Sequence, residues 1–95
     1  MLDLIAAYEN YLSKVKQASA NTVSSYMRDI RQFSGWLESE SGVDILAVSQ
    51  EDIGAYLTWL QSAGKSAATI SRTLASLKNF YTYAISSGFL ETSPV

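Results

Sequence analysis

The chain has no cysteine and no histidine, and a single proline in 95 residues. Without cysteine there is no disulfide, no thiolate zinc site and no thiol nucleophile. Without histidine, Ser-His-Asp and Cys-His catalysis, imidazole metal ligation and a histidine pH switch cannot be built from these residues. No cofactor, no metal and no catalytic residue is therefore expected. Long apolar runs are missing too: nothing approaches the ~18 to 20 residues that a membrane span requires. The start, Met1-Leu2-Asp3-Leu4, is acidic where a secretion signal would be basic. These features point to a cytoplasmic protein without a membrane partner. Strand-like alternation and tandem repeats are also lacking.

What is present is enough for one core. Hydrophobic residues make up 47% of the chain, which suits a single domain closed without a metal or covalent staple. The net charge is -2, opposite in sign to the usual balance of nucleic-acid-binding domains. Its distribution is uneven, however. Between Asn10 and Arg28 lie Lys14, Lys16 and Arg28 with no acid, and between Ile53 and Leu90 lie Lys65, Arg72 and Lys78, again with none. Acids collect at Glu38, Glu40, Asp44, Glu51 and Asp52. Because charges act over roughly a Debye length of ~8 to 10 Å, an acidic chain can still present a basic face.

Apolar spacing predicts four helices. Leu4, Ile5, Tyr8, Leu12 and Val15 make one stripe, giving a first helix over about Leu2 to Lys16. Ser19 is the N-cap of a second, which buries Val23, Tyr26, Met27, Ile30, Phe33 and Leu37. Residues 38–48 read as a loop whose Val43, Ile45, Leu46 and Val48 fold back onto the core. Ser49 with Asp52 resembles a capping box for a third helix, Gln50 to Ser62, ended by a left-handed Gly64. Ser66 opens the fourth, with Ile70, Leu74, Leu77, Tyr81, Ala84 and Ile85 buried as far as Gly88. Pro94 then forbids further helix.

The helix faces left over carry the candidate function. On the second helix they are Asn21, Thr22, Ser25, Arg28, Asp29 and Gln32; on the fourth, with Lys65 just ahead of it, Ala68, Thr69, Arg72, Ser76 and Asn79. Small polar side chains let a helix approach a DNA backbone, hydroxyls and amides donate to phosphate oxygens, and Arg28 or Arg72 can meet a guanine edge bidentately. Both helices open with a Ser cap and a Thr three residues on, and helix N-termini suit phosphate. A solvated helix face would look similar. Tyr26, Phe33, Tyr56, Trp59, Phe80 and Tyr81 suit core packing, whereas Trp36 and Tyr83 fall off the stripes, where they would meet a second domain. No base or cation cluster is placed to activate a tyrosine as a nucleophile.

Two runs carry a family resemblance. Ser19-Ala-Asn-Thr22-Val-Ser-Ser-Tyr26-Met-Arg28-Asp29-Ile30-Arg-Gln-Phe33-Ser-Gly-Trp36-Leu37 resembles the second helix of the N-terminal core-binding, SAM-like domain of phage integrases and Xer-type tyrosine recombinases. Ser66-Ala-Ala-Thr69-Ile70-Ser71-Arg72-Thr-Leu74-Ala-Ser76-Leu77-Lys78-Asn-Phe80-Tyr81 resembles its fourth helix, and Gly88-Phe89-Leu90-Glu-Thr-Ser-Pro94 its exit. The resemblance implies an all-α, compact four-helix SAM-like orthogonal bundle over residues 1–91, with 92–95 opening a linker to a catalytic domain. It implies a monomeric domain that clamps double-stranded DNA, with the second and fourth helices at the major groove. Thr22, Ser25, Arg28, Thr69, Arg72 and Ser76 become candidate DNA contacts, supported by Lys65 and Lys78. Catalysis in that family belongs to the other half, so this chain would bind without cutting, with its catalytic domain and neighbouring recombinase subunits as further partners. Net acidity and Asp29 on the proposed face depart from the family pattern. The competing readings are a helical protein-interaction module docking through Trp36, Trp59 or Tyr83, and, less well matched to long separated helices, a stand-alone helix-turn-helix regulator.

Overall fold

Capping chemistry fixes where the helices begin. Ser19 Oγ accepts from the Thr22 amide at 3.2 Å and Ser66 Oγ from the Thr69 amide at 3.2 Å. Ser49 and Asp52 cap each other reciprocally, the Asp52 amide donating to Ser49 Oγ at 3.2 Å and the Ser49 amide to Asp52 Oδ2 at 3.0 Å. The computed structural model describes residues 4–95 and contains α1 (Leu4–Lys14), α2 (Ala20–Trp36), α3 (Gln50–Ser62) and α4 (Ala67–Ser86). Between α2 and α3 lie a π-helical turn (Leu37–Ser41) and a 3-10 turn (Ile45–Ala47). No strand occurs among the described residues, and the fold is all-α with four α-helices, as expected. The third helix has the bounds that the sequence predicts. For the first, Leu2 lies outside the described residues and the other end falls at Lys14.

α2 lies against both α1 and α4, and α3 packs on α4. Leu4, Tyr8 and Leu12 of α1 meet Val23, Met27, Ile30 and Phe33 of α2 in one core with Tyr56, Leu60, Leu77, Phe80 and Tyr81. Each fully buried large side chain contributes roughly 1.5–3 kcal/mol. Gly64 ends α3 at φ 83, a conformation costly for any residue with a Cβ. Its amide reaches the Gln61 carbonyl at 3.0 Å and the Lys65 amide reaches Leu60 at 3.1 Å, the paired bonds of a Schellman ending.

Three expectations are corrected. Val15, placed on the buried stripe, is 70% exposed. α1 stops at Lys14 and the chain swings through Gln17 at φ 52 toward the Ser19 cap, which takes Val15 out of the helical period. Second, the first part of the expected loop is helical. α2 runs on through the π turn, closed by the Gly42 amide on the Leu37 carbonyl at 2.7 Å, while Ser39 and Ser41 hydroxyls donate to the Gly35 and Leu37 carbonyls. Val43, Ile45 and Leu46 do pack on the core, and Val48 is buried. Third, α4 is rotated from its apolar stripe: Thr73 and Ser76 point inward with Leu77, Phe80, Tyr81 and Ala84, and Ile85 is exposed.

Candidate nucleic-acid interface

The rotation of α4 has a polar cause. Asp29 of α2 and Ser76 of α4, both expected on the outward face, are buried at 2% and 0% exposure. The Ser76 hydroxyl donates to Asp29 Oδ2 at 2.7 Å, and Arg72 Nη2 donates to Asp29 Oδ1 at 3.0 Å. A buried carboxylate is tolerated when both oxygens find donors, so the pair draws Ser76 inward and sets the register of the two helices. Arg72 itself keeps 47% of its side chain in solvent. One turn along, Asn79 Nδ2 donates to the Tyr26 hydroxyl at 3.4 Å. Residues 26 and 29 thus lie beside 79 and 72–76, and α2 and α4 run antiparallel.

With Asp29 buried, the outward surface of this helix pair holds no exposed acid: α2 contains no other acid and α4 none. Thr22 and Arg28 are exposed and Ser25 and Thr69 half-buried, with Asn21, Gln32 and Asn79 exposed beside them. Ala68, Ser71, Ala75 and Thr82, exposed along α4, belong to the same surface. Of these four, the apolar spacing of α4 places only Ala68 on the outward side; with Asn79 all four make an unbroken three-four run once Ser76 faces inward. Lys65 is exposed just ahead of the Ser66 cap. Lys78 is exposed as well, three residues after Ala75 and four before Thr82, and so shares their side of α4. Lys16, which the sequence pattern does not single out as a contact, shares a pocket wall with Thr22, Tyr26 and Asn79. Arg31 instead faces α1, 3.5 Å from Glu9, an exposed pair of little energetic weight.

The two helix starts are chemically alike. At each, the Ser hydroxyl donates to the Thr Oγ1 at 3.0 Å while accepting the Thr amide, for Ser19 with Thr22 and for Ser66 with Thr69. The Thr hydroxyl protons are thereby left to donate elsewhere, next to first-turn amides that have no intrahelical acceptor.

The aromatic residues form two groups. Tyr8, Tyr11, Phe80 and Tyr83 cluster between α1 and α4, and Phe33, Trp36, Tyr56 and Trp59 between α2 and α3. Trp36 and Tyr83, expected off the stripes, are half-buried against the core, and Trp59 is 38% exposed. Burial pushes the phenols of Tyr8 and Tyr81 upward, and burial followed by the Asp29 charge pushes Tyr56 up to about 12. That direction is opposite to the one that makes a tyrosine nucleophilic. Among the described residues no group of acids has metal-binding spacing, and no helix is long and apolar enough to cross a membrane.

Residues 5–88 match the family model described as phage integrase, N-terminal SAM-like domain. The chain is 37% identical over 91 residues to a Caldanaerobacter subterraneus protein provisionally named a tyrosine recombinase, covering 96% of this chain and 31% of that protein. It is 31% identical over 96 residues to tyrosine recombinase XerD of Listeria monocytogenes, covering 100% and 32%. To tyrosine recombinase XerC of Lacticaseibacillus casei it is 35% identical over 80 residues, covering 83% and 27%. It thus spans about a third of the length of the curated relatives it matches. No solved structure matches the chain. By the extent of the family match and by these identities, the chain belongs to the phage integrase N-terminal SAM-like domain family of the tyrosine recombinases.

Proposed function

We propose that this chain is the DNA-gripping part of a tyrosine recombinase, holding duplex DNA against the outward face of α2 and α4 and cutting nothing by itself. The observation that carries the reading is the absence of any exposed acid on that face, in a chain whose net charge is -2. Thr22 and Thr69 bracket it. In the antiparallel register Thr69 lies level with about residue 35, so the two caps stand roughly 20 Å apart at 1.5 Å per residue. Two helix starts so separated offer free amides and hydroxyls to two different backbone phosphates. Ser25, Arg28 and Arg72 then lie between them, with Lys65 supporting the Ser66 end and Lys78 the outer side of α4. Ser76 contributes through Asp29 and not by contact. The exposed Trp59 supports a second use of the domain, an apolar contact to the catalytic domain or to a neighbouring recombinase subunit.

An amide-resonance titration with a generic ~20-base-pair duplex tests this. Shifts concentrated at residues 19–32 and 65–79, with affinity falling against salt at a logarithmic slope of roughly -3, are expected. Shifts gathered around Trp36 and Trp59 and indifferent to salt would replace the DNA reading with the protein-interaction module.

A further inference from the structure

We infer that Asp29 and Ser76 are positioning residues that hold Arg72 as a reader of base edges, and not as a neutraliser of phosphate. The inference rests on the DNA-binding reading above and divides its cations into two kinds. Arg72 has its charge balanced at 3.0 Å by a carboxylate that is itself 2% exposed and fixed from its other side by Ser76 at 2.7 Å. A guanidinium compensated in this way gains little from a phosphate, because a second anion would meet the field of the first. Its planar fork is another matter. One Nη2 hydrogen is spent on Asp29, and the remaining donors sit on a side chain 47% exposed, oriented before any ligand arrives. A pre-oriented fork loses little conformational freedom on meeting the paired acceptors of a guanine edge. Arg28, Lys65 and Lys78, by contrast, form no ion pair among the described residues and keep their charge for the backbone.

Asp29 bridges α2 to α4, so Arg72 is fixed at the seam of the helix pair, where the proposed face is centred. A purely structural ion pair would give the same geometry but would not affect which sequences are bound.

The test uses the 95-residue chain with a randomised ~20-base-pair duplex library, sequenced after selection, and the salt dependence of binding to one fixed duplex. Arg72→Ala should flatten the selected preference at one or two positions by about 5- to 150-fold, with the salt slope unchanged. Arg72→Lys should flatten it equally, since charge without the fork does not substitute. Asp29→Asn should flatten the preference and steepen the slope by about 0.9, as the freed guanidinium takes a phosphate. Ser76→Ala, which removes one hydrogen bond and keeps the charges, gives a partial flattening and carries the positioning arm if Asp29→Asn fails to fold in a thermal melt. Three results overturn the inference while leaving DNA binding intact: a slope reduced by about 0.9 in Arg72→Ala with preference unaltered, folded Asp29→Asn and Ser76→Ala variants indistinguishable from the parent, or a parent chain that enriches no sequence. A parent that binds no duplex at low salt overturns the DNA reading and this inference together.

Discussion

The outward face of α2 and α4 and the segment joining α2 to α3 are both polar, yet they differ in what their polarity is made of. Along the face run hydroxyls, amides, small side chains and cations, and its one acid is withdrawn into the interior. The joining segment and the start of α3 carry Glu38, Glu40, Asp44 and Glu51 exposed, with Asp52 spent on the capping box. A net charge of -2 averages over the whole chain and describes neither region. What a partner senses is the local field within about a Debye length, so the chain can be acidic and still offer a surface fit for phosphate.

The comparison breaks most visibly if acids are moved onto the face. Gln32→Glu with Ala75→Glu, both at exposed helical positions, should lower duplex affinity roughly 100-fold at low salt, since like charges would meet the phosphates. Melting temperature should hold, because Glu is a good helix former. The matching insertion in the joining segment, Ala47→Glu, should change affinity by less than about threefold. Equal losses from the two insertions, read by fluorescence anisotropy, would mean that the face has no privileged role.

The next effect falls on stability and on the other region. Tyr81 is buried, and its hydroxyl donates to the Ile45 carbonyl at 2.7 Å, tying the acidic segment to α4. Tyr81→Phe leaves that carbonyl unpaired and should cost about 2 kcal/mol in denaturant unfolding. Duplex affinity of the folded variant should be unchanged, because the segment lies outside the face.

Smaller still, Arg28→Ala should weaken binding about tenfold and flatten the salt slope by about 0.9, the signature of one phosphate contact. Glu51→Gln, removing a charge of the opposite sign from the acidic region, should leave the slope alone. An unchanged slope in Arg28→Ala would remove that residue from the interface.

How far the sequence can be read follows from what kind of signal each feature leaves. α3 is legible at both ends because Ser49, Asp52 and Gly64 act within a turn of themselves. The core of α2 is legible because its apolar residues recur at helical spacing. Asp29 and Ser76 escape such a reading, which equates polarity with exposure, whereas they satisfy each other across 47 residues and no local period records that pairing. A trace of it is present: Asp29 lies three residues after Tyr26 and four before Phe33, on the stripe itself. Thr22, Arg28, Lys65 and Arg72 stand out correctly as exposed polar groups. Lys78 is exposed as well. Val15 goes astray because an apolar period does not mark where α1 stops.

The three serine caps sharpen the comparison at the smallest scale. Ser19, Ser49 and Ser66 each accept an amide at 3.2 Å from the residue three positions on, so as helix caps they are equivalent. Replacing any one with alanine should cost about 1 kcal/mol of stability. They differ in what surrounds them. Ser49 caps a helix whose first turn holds Glu51 and Asp52, acids that occupy the positive end of the dipole. α2 and α4 have no acid in the first turn, and their Thr22 and Thr69 hydroxyls receive a hydrogen bond from the Ser and keep their own protons free. Ser19→Ala and Ser66→Ala should therefore lower duplex affinity by about threefold beyond any loss of folded protein, through a hydroxyl and a helix start no longer held in place. Ser49→Ala should lower stability alone. If all three variants lose only stability, the likeness of the two helix starts reflects capping and nothing more, and the phosphate contacts must be sought between them, at Ser25 and Arg28.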